Sequence, residues 1–459
     1  MSFRVLLAVL AARLAGWISR LTGRGGSSLP GLVARRIAPQ VLTRLSQSLG
    51  WGTLLLTGTN GKTTTAAMLR HVVEGSGRRL ISNRAGANLI LGLTATLAQA
   101  ERWRIFPRAD LAVLETDEAT MPRAGQEIRP RVVTVTNFFR DQLDRYGELS
   151  TTVQYVARGI SFVQPDGVLV LNADDPQVAR LASGSHEVIY YGLDAGAHVE
   201  AAGYDALDAR FCPHCGSALT YDRRYYAHLG HYRCLHCGWQ RPQPSVAVER
   251  WSRSEEKVWV RIRGEQYVFS WRMPGIYNLY NQAAAIASAV ALDVPTATIE
   301  ERLASFRPAF GRMETVMAGP TRLWLALVKN PVGFNQVLGA VADEAEGRQA
   351  VMIVINDRYA DGRDVSWLWD VDFEYWVGRL KVDRWYVSGI RARDMAVRLK
   401  YAGVPKDLVV ADEAVVSLLT RATREVGEGT LFVLPTYTAM LEVRQHLTQM
   451  GLVKHFREG

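Results

Sequence analysis

WGTLLLTGTNGKTTT, residues 51–65, is the segment from which the architecture can be inferred. An apolar strand runs here into a glycine-rich turn, and the following AAMLRHVVE has the composition of a helix. The backbone N–H groups of such a turn and the N-terminus of such a helix can bind phosphate groups. We therefore predict that Lys62 lies on the β- and γ-phosphates of a nucleotide and that Thr63 binds Mg²⁺. The strict P-loop pattern fails, because Leu56 stands at the position of its first glycine.

Three further segments have the character of buried strands that end in polar residues. They are LAVLETDE at 111–118, RVVTVTN at 131–137 and GVLVLNADDP at 167–176. Because ligands bind at the carboxyl ends of parallel strands, these polar ends favour a parallel α/β sheet with a site along one edge. Glu115 is the candidate carboxylate for Mg²⁺. The later strands VMIVIND, RWYVSG and TLFVLP alternate with helices and predict a Rossmann-like C-terminal α/β domain.

All four cysteines lie in two CxxC pairs, Cys212 with Cys215 and Cys234 with Cys237. Two such pairs at this spacing can present four thiolates tetrahedrally, so we predict a structural Zn²⁺ in a zinc ribbon at 208–241. Two disulfides are the alternative, which a reducing compartment disfavours. We expect the four nearby histidines at the surface or around the metal; they are His214, His228, His231 and His236. With every cysteine committed, any cysteine nucleophile must come from a partner chain.

The composition of the 459 residues, 48% hydrophobic and 22% charged, excludes a disordered chain. The net charge of +9 would by itself suggest a nucleic-acid partner, but the first acidic residue is Glu74, so the excess lies near the N-terminus. The basic N-terminal arm contains an amphipathic helix that is too short and too charged to span a bilayer. It fits a membrane interface and packing on the protein equally well. Its apolar face consists of Leu7, Leu10, Leu14, Ile18 and Leu21.

The motifs above resemble those of the Mur ligase family and follow its order. The resemblance rests on GTNGKTT at 58–64, LETDE at 114–118, TNFFRDQLDRYG at 136–147, NADDP at 172–176 and GIYNLYNQAA at 275–284. It implies a central ATPase domain of Mur ligase type, with Thr63 and Glu115 on Mg²⁺ and Asn281 at the adenosine. The residues that it implies for ATP binding are Gly58, Thr59, Asn60, Gly61, Lys62, Thr63, Thr64, Asn88 and Asn281.

Three departures separate the chain from the amino-acid-adding members of that family. Gln142 stands where those enzymes have a histidine, and no lysine between Asn172 and Cys212 can serve as their carbamylated lysine. LVKNPVG at 327–333 replaces their DYAHNP motif.

The four-cysteine insertion and the acidic run NDRYADGRDVSWLWD at 356–370 are similar to one branch of the family. This branch comprises the MurT-type subunits of lipid II isoglutaminyl synthase, which work with a GatD-type glutaminase. The resemblance implies amidation of the D-glutamate α-carboxylate of the lipid II stem peptide, through an acyl phosphate and with ammonia from the partner. It also implies a cytoplasmic location at the inner face of the membrane and a role in peptidoglycan synthesis.

The same resemblance assigns Asp364 as the acid that completes the Cys–His pair of the partner. Asp357 and Asp361 are expected behind it, and Trp367 and Trp369 are expected to anchor the interface.

We thus predict a basic arm at 1–45, a central ATP-binding domain at 46–310 and a C-terminal domain at 311–459 that contacts the glutaminase. Two alternatives remain. One is an amino-acid-adding Mur or folylpolyglutamate-type ligase. The other is a nucleic-acid-binding ATPase that uses the basic arm and the ribbon arginines Arg223, Arg224 and Arg233. The neutral body of the chain argues against nucleic acid as a partner.

Overall fold

The computed structural model describes residues 3–21, 28–83, 86–100, 108–141, 148–182, 184, 186–194, 208–307, 312–344 and 347–453. It begins with three helices, α1 (Phe3–Leu21), α2 (Leu29–Ile37) and α3 (Val41–Ser46). Helix α1 packs on α2 through small residues, which are Val5, Ala8, Val9 and Ala12. Four residues of the predicted apolar face point away from this core, because Leu7, Leu10, Leu14 and Ile18 are 42%, 49%, 58% and 46% exposed; the side chain of Leu21 lies outside the described part of the structure. Among the described helices, none is long and apolar enough to cross a membrane.

Nine strands form the central sheet, and a separate hairpin, β7 (Thr220–Tyr226) and β8 (Leu229–Arg233), belongs to the cysteine-rich insertion. The nine are β1 (Gly52–Thr57), β2 (Leu80–Ser82), β3 (Leu111–Glu115), β4 (Val132–Val135), β5 (Val168–Asn172), β6 (Glu187–Leu193), β9 (Val246–Ser252), β10 (Lys257–Ile262) and β11 (Glu265–Ser270). Their order is β11-β10-β9-β6-β5-β4-β1-β3-β2.

The four strands predicted from the sequence are confirmed as the parallel neighbours β5, β4, β1 and β3. Strands β9 to β11 extend this sheet as an antiparallel meander, which the sequence analysis did not predict. The meander is possible because Arg263 and Gly264 both have positive φ, of 49° and 98°, and so make the tight turn between β10 and β11.

Helices cover both faces of the central sheet. They are α4 (Lys62–Gly75), α5 (Ile90–Ala98), α6 (Met121–Ile128), α7 (Leu149–Ile160), α8 (Pro176–Ala179), α9 (Ile276–Ala291) and α10 (Thr296–Ser305). Helix α9 is buried along most of its length because its alanines let it pack closely against α4, β5 and β6. Helix α1 and helix α2 contact α5 on the opposite face.

The C-terminal domain has six strands in the order β12-β13-β17-β14-β15-β16. These are β12 (Arg312–Ala318), β13 (Thr321–Ala326), β14 (Gln349–Val354), β15 (Arg384–Ser388), β16 (Val409–Ala411) and β17 (Thr430–Pro435). All neighbours are parallel except β12 and β13, so the predicted Rossmann-like strands are confirmed. The helices are α11 (Pro331–Asp343), α12 (Phe373–Val377), α13 (Ala392–Tyr401), α14 (Val415–Val426) and α15 (Tyr437–Gln449).

Candidate active site

The loop between β1 and α4 has the backbone form that a phosphate-binding turn requires. Gly58 and Gly61 have φ of +120° and +86°, in the region that favours glycine. A Cβ atom at Gly58 would lie 2.3 Å from the Thr136 hydroxyl oxygen, and one at Gly61 would lie 2.0 Å from Asn281 Oδ1. Both positions are therefore restricted to glycine. Helix α4 begins at Lys62, so the unpaired N–H groups of its first turn face the space beyond the loop.

Lys62 is held in place by a carboxylate that the sequence analysis did not assign. Its Nζ donates to Glu118 Oε1 at 2.7 Å and to the Gly58 carbonyl at 2.5 Å. Burial lowers the pKa of Lys62, but the negative charges of Glu118, Asp117 and Glu115 outweigh burial and raise it above the ordinary value. Lys62 is therefore a fixed cation at neutral pH. The only signal for Glu118 was its place in the LETDE run.

Glu118 itself is buried, with 7% of its side chain exposed. Burial raises its pKa, while the charge of Lys62 acts in the opposite direction. A buried carboxylate with one cationic partner depends on that partner. The ion pair between Glu118 and Lys62 therefore connects the segment after β3 to the first residue of α4.

Glu115 and Asn88, which are two of the predicted site residues, lie together. The Asn88 amide donates to Glu115 Oε1 at 3.4 Å, and Glu115 is 6% exposed. The backbone of Glu115 is fixed by Asn83, which accepts from its N–H at 2.9 Å and donates to its carbonyl at 2.8 Å. Asn83 was missed because it follows a three-residue strand, β2, without a distinctive motif.

The C-terminal domain reaches the phosphate loop directly. Lys329 Nζ donates to the Thr59 carbonyl at 3.1 Å and to Asp141 Oδ2 at 2.5 Å. Asn330 donates to Asn60 Oδ1 at 3.0 Å, and the backbone N–H of Asn60 donates to Asn137 Oδ1 at 2.9 Å. The LVKNPVG segment thus supplies a second cation at the same loop. Gln142 lies outside the described residues.

A cleft between the two domains continues from the phosphate loop. Asn281 lies in its wall, and its side-chain amide donates to Asn278 Oδ1 at 3.1 Å. The walls combine the loop with apolar and aromatic side chains, which include Tyr226, Met273, Tyr277, Met313, Val332 and Val337. An apolar cleft with a few amide groups beside a phosphate loop suits a purine base.

Three of the four carboxylates in the acidic run after β14 lie in different environments. Asp357 pairs with Arg391 at 2.7 Å. Asp361 is buried, accepts from the N–H of Thr438 at 2.7 Å, and has a pKa raised by burial. Asp364 is exposed, and its pKa is held below the ordinary value by hydrogen bonds from Ser366. Of these three, only Asp364 is exposed; Asp370, the fourth acid of the run, is exposed as well.

The two tryptophans of this run differ in exposure. Trp369 is 53% exposed, whereas Trp367 is half-buried and lies 6.3 Å from Phe334 between ring centroids. Trp369 is therefore the more accessible of the two tryptophans that were expected to anchor an interface.

The four cysteines form one cluster. Their sulfur atoms all lie within 4.8 Å of one another, with Cys212 and Cys237 at 3.6 Å and Cys215 and Cys234 at 3.5 Å. These distances exceed the disulfide bond length of about 2.05 Å. They approach the ~3.8 Å that separates two sulfurs on a tetrahedral ion with Zn–S bonds of about 2.3 Å.

Known proteins resemble this chain in sequence and in fold. The family model described as "Mur ligase middle domain" matches residues 56–212, and the model described as "MurT ligase C-terminal" matches residues 327–440. The chain is 34% identical over 445 residues to the lipid II isoglutaminyl synthase (glutamine-hydrolyzing) subunit MurT of Staphylococcus aureus strain N315, covering 96% of this chain and 97% of that protein. It is 31% identical over 455 residues to the subunit of the same name from Streptococcus pneumoniae strain R6, covering 99% of each chain.

Among solved structures, a pseudomurein peptide ligase type C from Methanothermus fervidus superposes with a TM-score of 0.69. It is 23% identical, and the match covers 90% of this chain and 81% of that one. This likeness concerns the fold alone.

Proposed function

Because the chain belongs to the family of MurT subunits of lipid II isoglutaminyl synthase, we propose that it catalyses the ATP-dependent amidation of the D-glutamate α-carboxylate in the lipid II stem peptide. The product is D-isoglutamine, and a partner glutaminase of GatD type supplies the ammonia. The observation that carries this proposal is a pair of cations at one phosphate loop. Lys62 donates to the Gly58 carbonyl, and Lys329 donates to the Thr59 carbonyl.

The residues suit phosphoryl transfer to a carboxylate. A carboxylate oxygen attacks the γ-phosphorus of ATP, ADP leaves, and an acyl phosphate forms. Lys62 and the N-terminus of α4 stabilise the charge on the phosphoryl oxygens, and they are held in place before the reaction. The ammonia nitrogen then forms a bond to the acyl carbon, loses a proton, and expels phosphate.

Mg²⁺ fits the oxygen donors at the start of α4 and the end of β3. Thr63 offers a hydroxyl and Glu115 a carboxylate, and Mg²⁺ prefers such oxygen ligands. When bound, the ion neutralises charge on the phosphate groups. Asn88 and Asn83 orient Glu115 for this role.

Asp364 is the residue that we propose for the partner's glutaminase site. A glutaminase cysteine is activated by a histidine, and the histidine is oriented by a carboxylate. Asp364 is exposed and ionised, whereas Asp357 is neutralised by Arg391 and Asp361 is buried. Trp369, in the same run, is also exposed and offers an apolar anchor for the partner.

The function is tested by co-expression with glutamine amidotransferases from the same genome, followed by co-purification and a lipid II amidation assay. Glutamine should drive amidation in the complex, and ammonium should drive it without glutamine. ATP turnover driven by a free amino acid without a partner would instead identify an amino-acid-adding ligase. Salt-dependent binding of RNA or DNA without amidation would identify the nucleic-acid ATPase.

We further propose that the four cysteines hold a structural Zn²⁺. Cys212→Ser should release the metal and lower the melting temperature, because the ion links the two CxxC turns that start and end the hairpin. The measurement is zinc content per chain by plasma emission, beside a melting curve. Thr220→Ala, at an exposed residue of the same hairpin, is the control. Wild-type protein purified under reducing conditions without zinc would refute this assignment.

The exposed side of α1 supports a peripheral position on the membrane. Phe3 and Trp17 are 70% and 56% exposed and extend the stripe of Leu7, Leu10 and Leu14. Arg4 is exposed, and the arm contains no acidic residue, so an anionic lipid surface is complementary to it. Arg13 is already engaged, because its Nε donates to the Ala98 carbonyl at 3.1 Å.

Changing Leu7, Leu10 and Leu14 together to Gln should weaken binding to phosphatidylglycerol vesicles by about tenfold or more. The fold should survive, since the buried side of α1 is untouched. Vesicle co-sedimentation measures the effect, and Leu235→Gln, at a residue that is 75% exposed on the cysteine-rich insertion, is the matched control. Equal binding of the triple variant and wild type would assign α1 to packing alone.

A further inference from the structure

The hairpin of the cysteine-rich insertion enters the central domain. Its tip, residues 225–229, is at most 4% exposed, and four of its five residues belong to the same core as β1 and α9. His228 is fully buried, so the expectation that the histidines lie at the surface or around the metal is wrong for this residue. Its ring lies 4.9 Å from that of Phe139 and its Nε2 lies 3.4 Å from Asp175.

Tyr226, at the end of β7, forms part of the wall of the cleft that begins at Asn60 and Gly61. Its ring meets that of Tyr280 edge-on, with centroids 5.6 Å apart and planes at 81°. Tyr280 immediately precedes Asn281, whose side chain excludes any Cβ at Gly61. The insertion therefore places an aromatic ring beside the phosphate loop.

The insertion also holds the segment that follows β4. Asp208 accepts hydrogen bonds from the N–H of Arg140 at 3.0 Å and from its Nε at 2.5 Å. The neighbouring Phe139 packs 5.9 Å from Tyr226 between ring centroids, and its N–H donates to the Thr59 hydroxyl at 3.1 Å. Asp141, which directly follows Arg140, accepts a hydrogen bond from Lys329 Nζ. The insertion is thus connected to Thr59 of the phosphate loop through Phe139, and to Lys329 through Arg140 and Asp141.

We propose that Tyr226 is a nucleotide-positioning residue that the cysteine-rich insertion contributes to the ATP cleft, and that tight nucleotide binding requires the insertion to be folded. This inference rests on the proposed function, since it assumes that the cleft takes ATP. Tyr226 supplies an aromatic wall for the adenine. The insertion supplies the rigid support, because the same hairpin ends at the four-cysteine cluster.

The first test measures the dissociation constant of a non-hydrolysable ATP analogue with Mg²⁺ by calorimetry on the full chain. Tyr226→Leu should weaken binding about tenfold, as expected for loss of a base–aromatic contact, and Tyr226→Phe should restore it. Tyr221→Leu is the matched control, because Tyr221 lies on the same strand, packs on Tyr232 and does not line the cleft. That variant should bind the analogue within twofold of wild type.

The second test needs no variant. Photolabelling with 8-azido-ATP, followed by trypsin, should modify the peptide of residues 225–233, and unlabelled ATP should suppress the modification. Protein stripped of metal by a chelator should lose both labelling of this peptide and affinity for the analogue, by a factor similar to that of Tyr226→Leu.

The outcomes separate this inference from the proposed function. Failure of the wild-type chain to bind the analogue would overturn the proposed function. Wild-type affinity in a folded Tyr226→Leu variant, or label confined to other peptides, would overturn the role of Tyr226. Wild-type affinity in metal-stripped protein whose hairpin has unfolded would overturn the requirement for the insertion.

Discussion

Lys62→Ala is expected to lower the rate of lipid II amidation by about 10²–10³-fold, because a positioned cation that stabilises the phosphoryl transfer is lost from a buried site. The same change leaves Glu118 without its cation, 2.7 Å away in the wild type. Removing one partner of a buried ion pair costs roughly 3–5 kcal/mol of stability. Activity must therefore be measured per folded chain.

A double variant separates catalysis from stability. Lys62→Met combined with Glu118→Gln removes both charges, so it should regain much of the thermal stability that Lys62→Ala loses, without regaining activity. Lys406→Ala, at an exposed lysine, is the control for loss of charge. Glu115→Ala should be nearly as damaging as Lys62→Ala and should weaken the response to Mg²⁺. Full activity in folded Lys62→Ala protein would refute the phosphate-loop assignment.

Asp364→Asn is expected to reduce glutamine hydrolysis by the complex by about 10²–10⁴-fold, the range for loss of the carboxylate that orients a catalytic histidine. Amidation driven by added ammonium should continue at the wild-type rate, because Asp364 has no contact with the phosphate loop among the described residues. Complex formation and ATP binding should also persist, since the side chain is exposed and its packing role is small.

The controls for this prediction lie in the same run. Asp370→Asn changes another exposed carboxylate and should leave glutamine hydrolysis unchanged. Asp361→Asn alters a buried group that accepts from Thr438, so it should affect stability rather than the hydrolytic step alone. A wild-type rate of glutamine hydrolysis in Asp364→Asn, measured as glutamate released, would exclude a shared catalytic site through this residue.

Features that depend on local geometry could be predicted from the sequence alone. The phosphate loop is one, because two glycines with positive φ between a buried strand and a helix leave few other conformations. The cysteine cluster is another, since its two turns each fit within a CxxC pair and the next glycine. The strands around Val113, Val133 and Val170 were also predicted, because each is a short apolar run, and the three valines are buried in the structure.

The partners of these features depended on which strands and domains lie side by side. Glu118 is 56 residues from Lys62 in sequence, and Lys329 is 188 residues from Asp141. Their pairing follows from the order of the strands and from the approach of the C-terminal domain, which no local pattern encodes. Helix α1 illustrates the same limit. Its sequence contains two apolar faces, and the small one, around Ala8 and Ala12, became the buried one because close packing on α2 requires it.

The cysteine-rich insertion has one feature that its local sequence predicted and another that only the tertiary structure decided. The spacing of its cysteines alone indicated a cluster of four thiols, because such a cluster needs only residues near one another in the chain. That its hairpin tip enters the cleft beside Tyr280 was decided by tertiary structure. The tip is buried because Tyr225, Tyr226 and Leu229 fill space between α9 and the segment after β4, and that space exists only once the central sheet has formed.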